Sequence, residues 1–402
     1  MTRAARHTPP HPQLTPGIPE RHPIPPNMTK EKLTRQQTAA MRGIAILAIV
    51  LHNFAHWLRP MVKENEYAFA QHNADRLMTE LLHPSAVLPA HLLSFFGHYG
   101  VPVFIFLSAY GLVMKYESVT ASPAAPAPPS SPGAVLPGIR QAGDFIIRHW
   151  LKLFCMMIVG YAAFVMTDFM TPRPHHYEFW NIVGQLGMFG NLYADPDHAI
   201  WPGPYWYFGL MVQIYIFYRL FLYNGDSPLT GRKSFLFSQF TTFAVLAATL
   251  FAQYLFSPEG DALTWYRYNL FGSLPVFTFA LLWTRAKTSA TEVPRRRNLV
   301  IFLVSSLLTV MMSLWFATWI FVPFAVCLAT VSLVRVLPAV VLKALEWVGG
   351  ISAAMFVCHP ITRKVLIPIA HSGDIYAGLL LYLVATIMLS LLFRRLIAGV
   401  TR

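Results

Sequence analysis

Apolar residues along this chain fall into ten long runs separated by short polar connections. They cover residues 39–58, 95–114, 151–170, 205–223, 237–256, 266–283, 299–316, 319–337, 345–367 and 375–393. At about 1.5 Å of rise per residue, roughly 20 helical residues cross a ~30 Å hydrocarbon core. The pattern predicts an all-α fold: a polytopic membrane bundle of about ten transmembrane helices, forming one domain over residues 38–397. The sixth run is the weakest, because Gly272 and Pro275 interrupt it.

Composition agrees. Hydrophobic residues make up 55% of the 402 and charged ones only 12%, about half the share of a soluble domain. The net charge of +13 raises nucleic acid as a partner, but the basic residues form no long stripe and lie in short loops between apolar runs. With the N-terminus in the cytoplasm, 24 Lys and Arg fall on the cytoplasmic side and 7 outside. That asymmetry orients a membrane protein. It predicts both termini in the cytoplasm, the lipid bilayer as a partner, an inner or plasma membrane location and no nucleic acid.

Residues 1–37 are Pro-rich at their start and read as a disordered cytoplasmic tail; residues 118–140, rich in Ala, Pro and Ser, read as a flexible cytoplasmic loop. No cleavable leader is expected, so the first run stays as a span. The loop 59–86 faces outside, with an interfacial helix expected over 66–82. The loop 171–204 carries aromatic pieces that suggest a surface-lying or re-entrant segment. Cys155, Cys327 and Cys358 lie in apolar runs and form no disulfide framework or zinc pattern.

Ionisable residues inside membrane helices are costly and mark function. The topology places His52, His56, His98 and His359 in the outer halves of their helices, and Arg42, Arg148, Lys152 and Arg219 near the inner face. Imidazoles suit general-base work; basic residues at the inner face suit phosphate, although helix-end anchoring is the plainer role for Arg148, Lys152 and Arg219. His52 and His56, four apart, share a helix face as metal ligands do. Asn53 stands where a metalloprotease motif has its glutamate, and no metal is expected. Gly97, Gly100 and Pro102 break regular helix at the start of the second run, either as backbone lining a cavity or as a loop entering the membrane late.

Four segments together resemble the acyltransferase-3 family of multi-span membrane proteins. Arg42-Gly43 through His52 is similar to the family's opening Arg-Gly…His element. Gly100-Val101-Pro102-Val103-Phe104 through Ser108-Ala109 resembles its Gly-Val…Phe-Phe…Ser-Gly segment. Phe145 through Lys152 resembles its basic approach to the third span, and Ile351-Ser352 through His359-Pro360 its late Ile-Ser…His-x-Pro. Trp206-Tyr207-Phe208 also fits. The family separates its Arg and His by ten residues, and here nine intervene, so a gapless match would select Asn53. His52 is the candidate because an asparagine side chain takes no proton at neutral pH. On an ideal helix the ten steps from Arg42 to His52 fall about 80° short of the same face.

The resemblance implies transfer of an acyl group, commonly acetyl, from acyl-CoA (acetyl-CoA) to a hydroxyl of a cell-envelope carbohydrate or glycolipid, alongside separate envelope-biosynthesis proteins. It implies His52 as base or transient acyl carrier, Arg42 at the thioester or CoA phosphates, Arg148 and Lys152 on the CoA phosphates, and Ser108, Trp206 and His359 in the pocket. An envelope polysaccharide or lipid transporter without chemistry is the alternative that intramembrane charge and broken spans also allow.

Overall fold

The computed structural model describes residues 32–117, 135–227, 231–232, 235–286, 293–370 and 373–400. They form a bundle of α-helices, and each of the ten apolar runs lies on helix. Six helical stretches are long and apolar enough to cross a bilayer, and shorter apolar helices such as Leu270–Arg285 and Val322–Val336 stand among them.

The first span is α1, Arg35–Ala55. A capping box starts it: Gln37 N donates to Thr34 Oγ1 at 3.1 Å, and Thr34 N donates to Gln37 Oε1 at 3.0 Å, so two otherwise orphaned donors are satisfied. The helix therefore begins inside the stretch read as a disordered tail. Residues 32–37 are ordered because Leu33 is buried and its backbone pairs with the Tyr110 hydroxyl in both directions. The rest of that tail, residues 1–31, lies outside the described residues.

The loop that follows leads to α2, Gln71–Leu82, shorter than the helix expected over 66–82. Residues 66–70 do not join it. Asn65 holds the Ala70 N–H and carbonyl with its side chain, and Arg267 Nε donates to the Glu66 carbonyl at 2.7 Å. These bonds turn the chain inward. The second span runs through α3, Leu88–Phe96, a 3-10 turn at Gly97–Tyr99, and α4, Gly100–Leu112, with a wide π turn at Val113–Glu117. The irregular backbone expected at Gly97 is thus present.

Helix α5 spans Val135–Met170. Residues 135–140 of the stretch read as a flexible loop are helical, because the turns before the third apolar run already bury Ala142 and Phe145, the latter against Tyr215 and Tyr218. Residues 118–134 lie outside the described residues. The connection 171–204 holds the short helices α6, Phe179–Gly187, and α7, Pro196–Ala199. Phe179 and Trp180 are exposed there, as a surface-lying segment requires.

The remaining helices are α8 (Trp206–Phe217, continued by a π turn at Tyr218–Leu222), α9 (Phe235–Gln253), α10 (Asp261–Tyr268), α11 (Leu270–Arg285), α12 (Arg295–Met312), α13 (Phe316–Trp319), α14 (Val322–Val336), α15 (Ala339–Ala370) and α16 (Ile375–Val400). A two-residue antiparallel pair, β1 Asp226–Ser227 with β2 Gly231–Arg232, lies between α8 and α9. The weak sixth run divides at Asn269 into α10 and α11, with Pro275 buried inside α11.

Helices α1 and α15 run parallel. Ala39 meets Gly349 near one end, and the Arg363 guanidinium reaches Asn53 at 3.1 Å near the other. Their backbones touch: a Cβ on Gly349 would collide with the Ala39 carbonyl. Small residues at such crossings let membrane helices gain packing and dispersion that lipid tails cannot supply. Helix α16 returns antiparallel to α15, with Thr362 and Thr386 hydroxyls 2.7 Å apart. Arg35 and Val400 therefore lie at the same end of the bundle.

At that end a buried ion pair ties four segments. Arg285 donates to both oxygens of Glu117 at 2.8 and 2.7 Å, to Thr242 Oγ1 at 3.0 Å and to the Leu222 carbonyl at 2.7 Å, and the Tyr218 hydroxyl donates to Glu117 at 2.9 Å. Removing one partner strands the other charge in a dry interior. Arg285→Met or Glu117→Gln alone should each cost about 3–5 kcal/mol, and the double variant should recover most of that loss. Thermal midpoints in detergent check this; additive losses in the double variant would contradict it.

Candidate active site

At the opposite end of the bundle a cavity of about 410 Å³ opens between α1, the inward loop, the 3-10 turn, the 196–207 segment and α15. His52 lines it and is 2% exposed. Its Nδ1–H donates to the Ser94 carbonyl at 2.8 Å. A carbonyl can only accept, so the neutral ring carries its lone pair on Nε2. The backbone behind it is fixed by Gly97: a Cβ there would stand 2.5 Å from His52 Cβ and 2.6 Å from the Ala48 carbonyl. Only glycine lets the turn approach α1 this closely.

Around His52 stand two more imidazoles, with ring centroids 4.9 Å away for His56 and 5.5 Å for His98. Apart from a weak approach to the Phe95 backbone, the buried ring nitrogens of His98 have no protein hydrogen-bond partner. His56 donates to Glu64 Oε1 at 3.2 Å. Burial opposes the charge of Glu64, but the His56 hydrogen bond and the neighbouring histidines outweigh it and hold the carboxyl below the usual carboxylate range. Glu66 behaves oppositely. Burial, then the charge of Glu64, pushes it up to about 8. The inward loop thus presents two acids of different protonation to one cavity.

The far wall is aromatic. Tyr67 stacks on Tyr268 at 3.8 Å and meets Trp206 edge-on at 5.5 Å, and the Tyr268 hydroxyl donates to Asp197 at 2.5 Å. Asn191 braces this wall by donating to the Trp206 and Tyr268 carbonyls at 2.9 and 2.7 Å. Arg267 lies over the Trp319 ring at 4.1 Å, and Trp319 Nε1 donates to the Asn65 carbonyl at 2.9 Å. Those contacts anchor the loop that carries Glu64 and Glu66.

A second cavity, about 220 Å³, lies at the end bearing Arg35 and is lined by two arginines, Arg148 and Arg219, one carboxylate, Asp144, and aromatic residues including Tyr116 and Tyr218. The two cavities share no lining residue.

The structure separates the candidates read from the sequence into three groups. His52 and Trp206 line the main cavity, and Arg148 lines the basic one. Ser108 and His359 stand one layer back. The Ser108 hydroxyl donates to the Phe104 carbonyl at 2.9 Å beside the cavity residue Tyr207. His359 is fully buried behind Phe356, with Nδ1–H on the Phe356 carbonyl at 2.8 Å. Arg42 and Lys152 are exposed, and neither lines a described cavity. None of the described cavities is lined by both Arg42 and His52. The ten-residue step turns the two side chains to different faces, as the helical geometry requires.

Sequence reading missed Glu64, Glu66, Asp197 and Arg363 as cavity residues. Only 18 acidic residues occur in the chain, so two of them flanking Asn65 beside an outer helix end was the available signal.

A bundle of long apolar helices with a histidine-lined cavity at one end and an arginine-bearing pocket at the other defines a class, the multi-pass helical membrane proteins. The model of the acyltransferase-3 family, described as an acyltransferase domain, matches residues 39–395, and the chain belongs to that family. It is a membrane acyltransferase. Comparison with curated proteins and with solved structures gave no match.

Glu66 supplies a pH test. Its folded-state value lies above the ordinary 4.5, so the folded protein binds the extra proton between about pH 4.5 and 8, and that stabilisation is lost as pH rises through this window. Glu66→Gln should therefore match the wild type near pH 5 and exceed its thermal midpoint near pH 8.5. A gap that stays constant with pH would contradict this.

Proposed function

We propose that the protein transfers an acyl group, acetyl in the first instance, from acyl-CoA to a hydroxyl of a cell-envelope carbohydrate or glycolipid, within the inner or plasma membrane. The observation that carries this reading is His52: a buried imidazole in a family acyltransferase, held by Ser94 and lining a cavity. The acceptor hydroxyl gives its proton to Nε2 as its oxygen attacks the thioester carbonyl. The C–S bond then breaks, and the imidazolium returns the proton to the departing thiolate. A base so placed contributes about 10²–10⁴ in rate. The ionised Glu64 lies where it favours the transient imidazolium.

The acceptor reading draws support from the cavity wall. Flat rings such as Trp206, Tyr67 and Tyr268, interleaved with Glu66, Asp197 and Arg363, offer stacking faces and hydrogen-bonding groups to a polyhydroxylated ligand. The donor reading draws support from Arg148 and Arg219 in the pocket at the end bearing Arg35, which the Lys and Arg distribution assigns to the cytoplasm. Guanidinium groups hold phosphate bidentately. Lys152 and Arg42, both exposed, serve at most as steering charges toward that mouth. Ser108 and His359 support the cavity from behind.

His52→Ala should abolish CoA release and acyl transfer while the protein still inserts and purifies normally; full turnover in that variant would refute the base. Arg148→Ala should raise the KM for acyl-CoA several-fold with smaller effect on kcat. Reconstituted vesicles that move unmodified acceptor across the membrane without any acyl-CoA would favour the transporter reading instead.

A further inference from the structure

One donor set at the cavity mouth exceeds what the transfer reaction needs. Ligand atoms of His52, His56 and Glu64 all lie within 4.8 Å of one another. Two imidazoles four apart, one on the last turn of α1 and one at its C-cap, and a carboxylate from the loop that follows make a two-histidine, one-glutamate set, the kind that holds zinc with one position open. The tightest known edge has the right size: His56 Nδ1 and Glu64 Oε1 are 3.2 Å apart, and two donors bound at 2.0–2.2 Å to one tetrahedral ion are about 3.4 Å apart. A metal ion can replace the proton they share. His52 is already prepared, since Ser94 holds Nδ1–H and leaves Nε2 free to ligate, the outer-shell bond that orients metal-binding histidines.

A second observation points the same way. His98 lies beside His52, is 4% exposed and lines the same cavity, and apart from a weak approach to the Phe95 backbone its buried ring nitrogens have no protein hydrogen-bond partner. A buried imidazole so poorly met is costly unless something outside the chain meets it. A metal ion at the triad, or the water on its open position, meets it. Reaching full coordination draws the widest pair in by on the order of 1 Å. His56 and Glu64 supply that movement, with side chains 23% and 19% exposed, while His52 stays fixed.

We propose that His52, His56 and Glu64 form a binding site for a zinc-class divalent metal ion and that the filled site switches the acyltransferase off. The metal bond occupies the Nε2 lone pair, so a metal-bound His52 cannot take the acceptor's proton. Binding stands on the donor geometry alone; the switching-off rests on the proposed base role of His52.

The test uses the full-length chain, purified without an affinity tag and stripped of metal, with Co²⁺ as the probe. The wild type should bind one equivalent with the visible absorption of a four- or five-coordinate nitrogen–oxygen site, displaced by Zn²⁺. His56→Asn and Glu64→Gln, near-isosteric changes, should each weaken this signal by about 100-fold or more. The chain holds 15 histidines, and single-site variants report on this cluster alone. No Co²⁺ band in the wild type, or a band unchanged in both variants, overturns the site. X-ray absorption on the wild type showing fewer than two imidazoles overturns it even where a variant fails to fold. In the activity arm, Zn²⁺ should block CoA release, and chelation should restore it. Metal binding with undiminished transfer would refute the base role of His52 and leave the site standing. Transfer without metal binding would do the reverse.

Discussion

Backbone contact between α1 and its two neighbours is the constraint on which the site depends. Helix α15 meets it at Gly349, and the 3-10 turn meets it at Gly97. Lipid tails are as apolar as leucine, so association rests on close packing and dispersion between backbones and not on hydrophobic burial. The contact at Gly97, with the Ser94 hydrogen bond, fixes His52. Its Cβ is walled by Gly97, its Nδ1 is held by Ser94 on α3, and its ring lines the cavity. An imidazole positioned by the main chain of a neighbouring helix needs no flexible partner to aim it.

The bundle itself was legible because membrane spans obey one rule, a long apolar run, and all ten runs became helix. Boundaries were less so. The helix that starts at Val135 extends beyond the lipid-length run because Phe145 packs on Tyr215 and Tyr218, a tertiary contact no hydropathy window contains. Residues 66–70 left the expected interfacial helix because Arg267, some two hundred positions away in sequence, holds the Glu66 carbonyl.

The site was legible in part for the same reason. His52 and Trp206 sit in motifs, and both reach the cavity. The pairing of Arg42 with His52 depends on helical phase, and the ten-residue step places them on different faces. Glu64 and Glu66 sit in a loop, and only a loop folded into the bundle turns two surface-type residues into cavity acids with opposite protonation. The histidine cluster follows from the same fold: the end of α1 and its C-cap give the pair, but Glu64 and His98 arrive from two other segments.

The account assigns the two ends of the bundle to two substrates, with the acceptor at His52 and the CoA phosphates at Arg148 and Arg219. The most direct measurement is a structure of the protein in lipid nanodiscs with a non-transferable thioether analogue of acetyl-CoA. The account predicts phosphate density against Arg148 and Arg219, with the pantetheine arm entering the bundle and the acyl carbonyl arriving at the His52 cavity. Phosphates bound elsewhere, or an arm that turns away from His52, would contradict it.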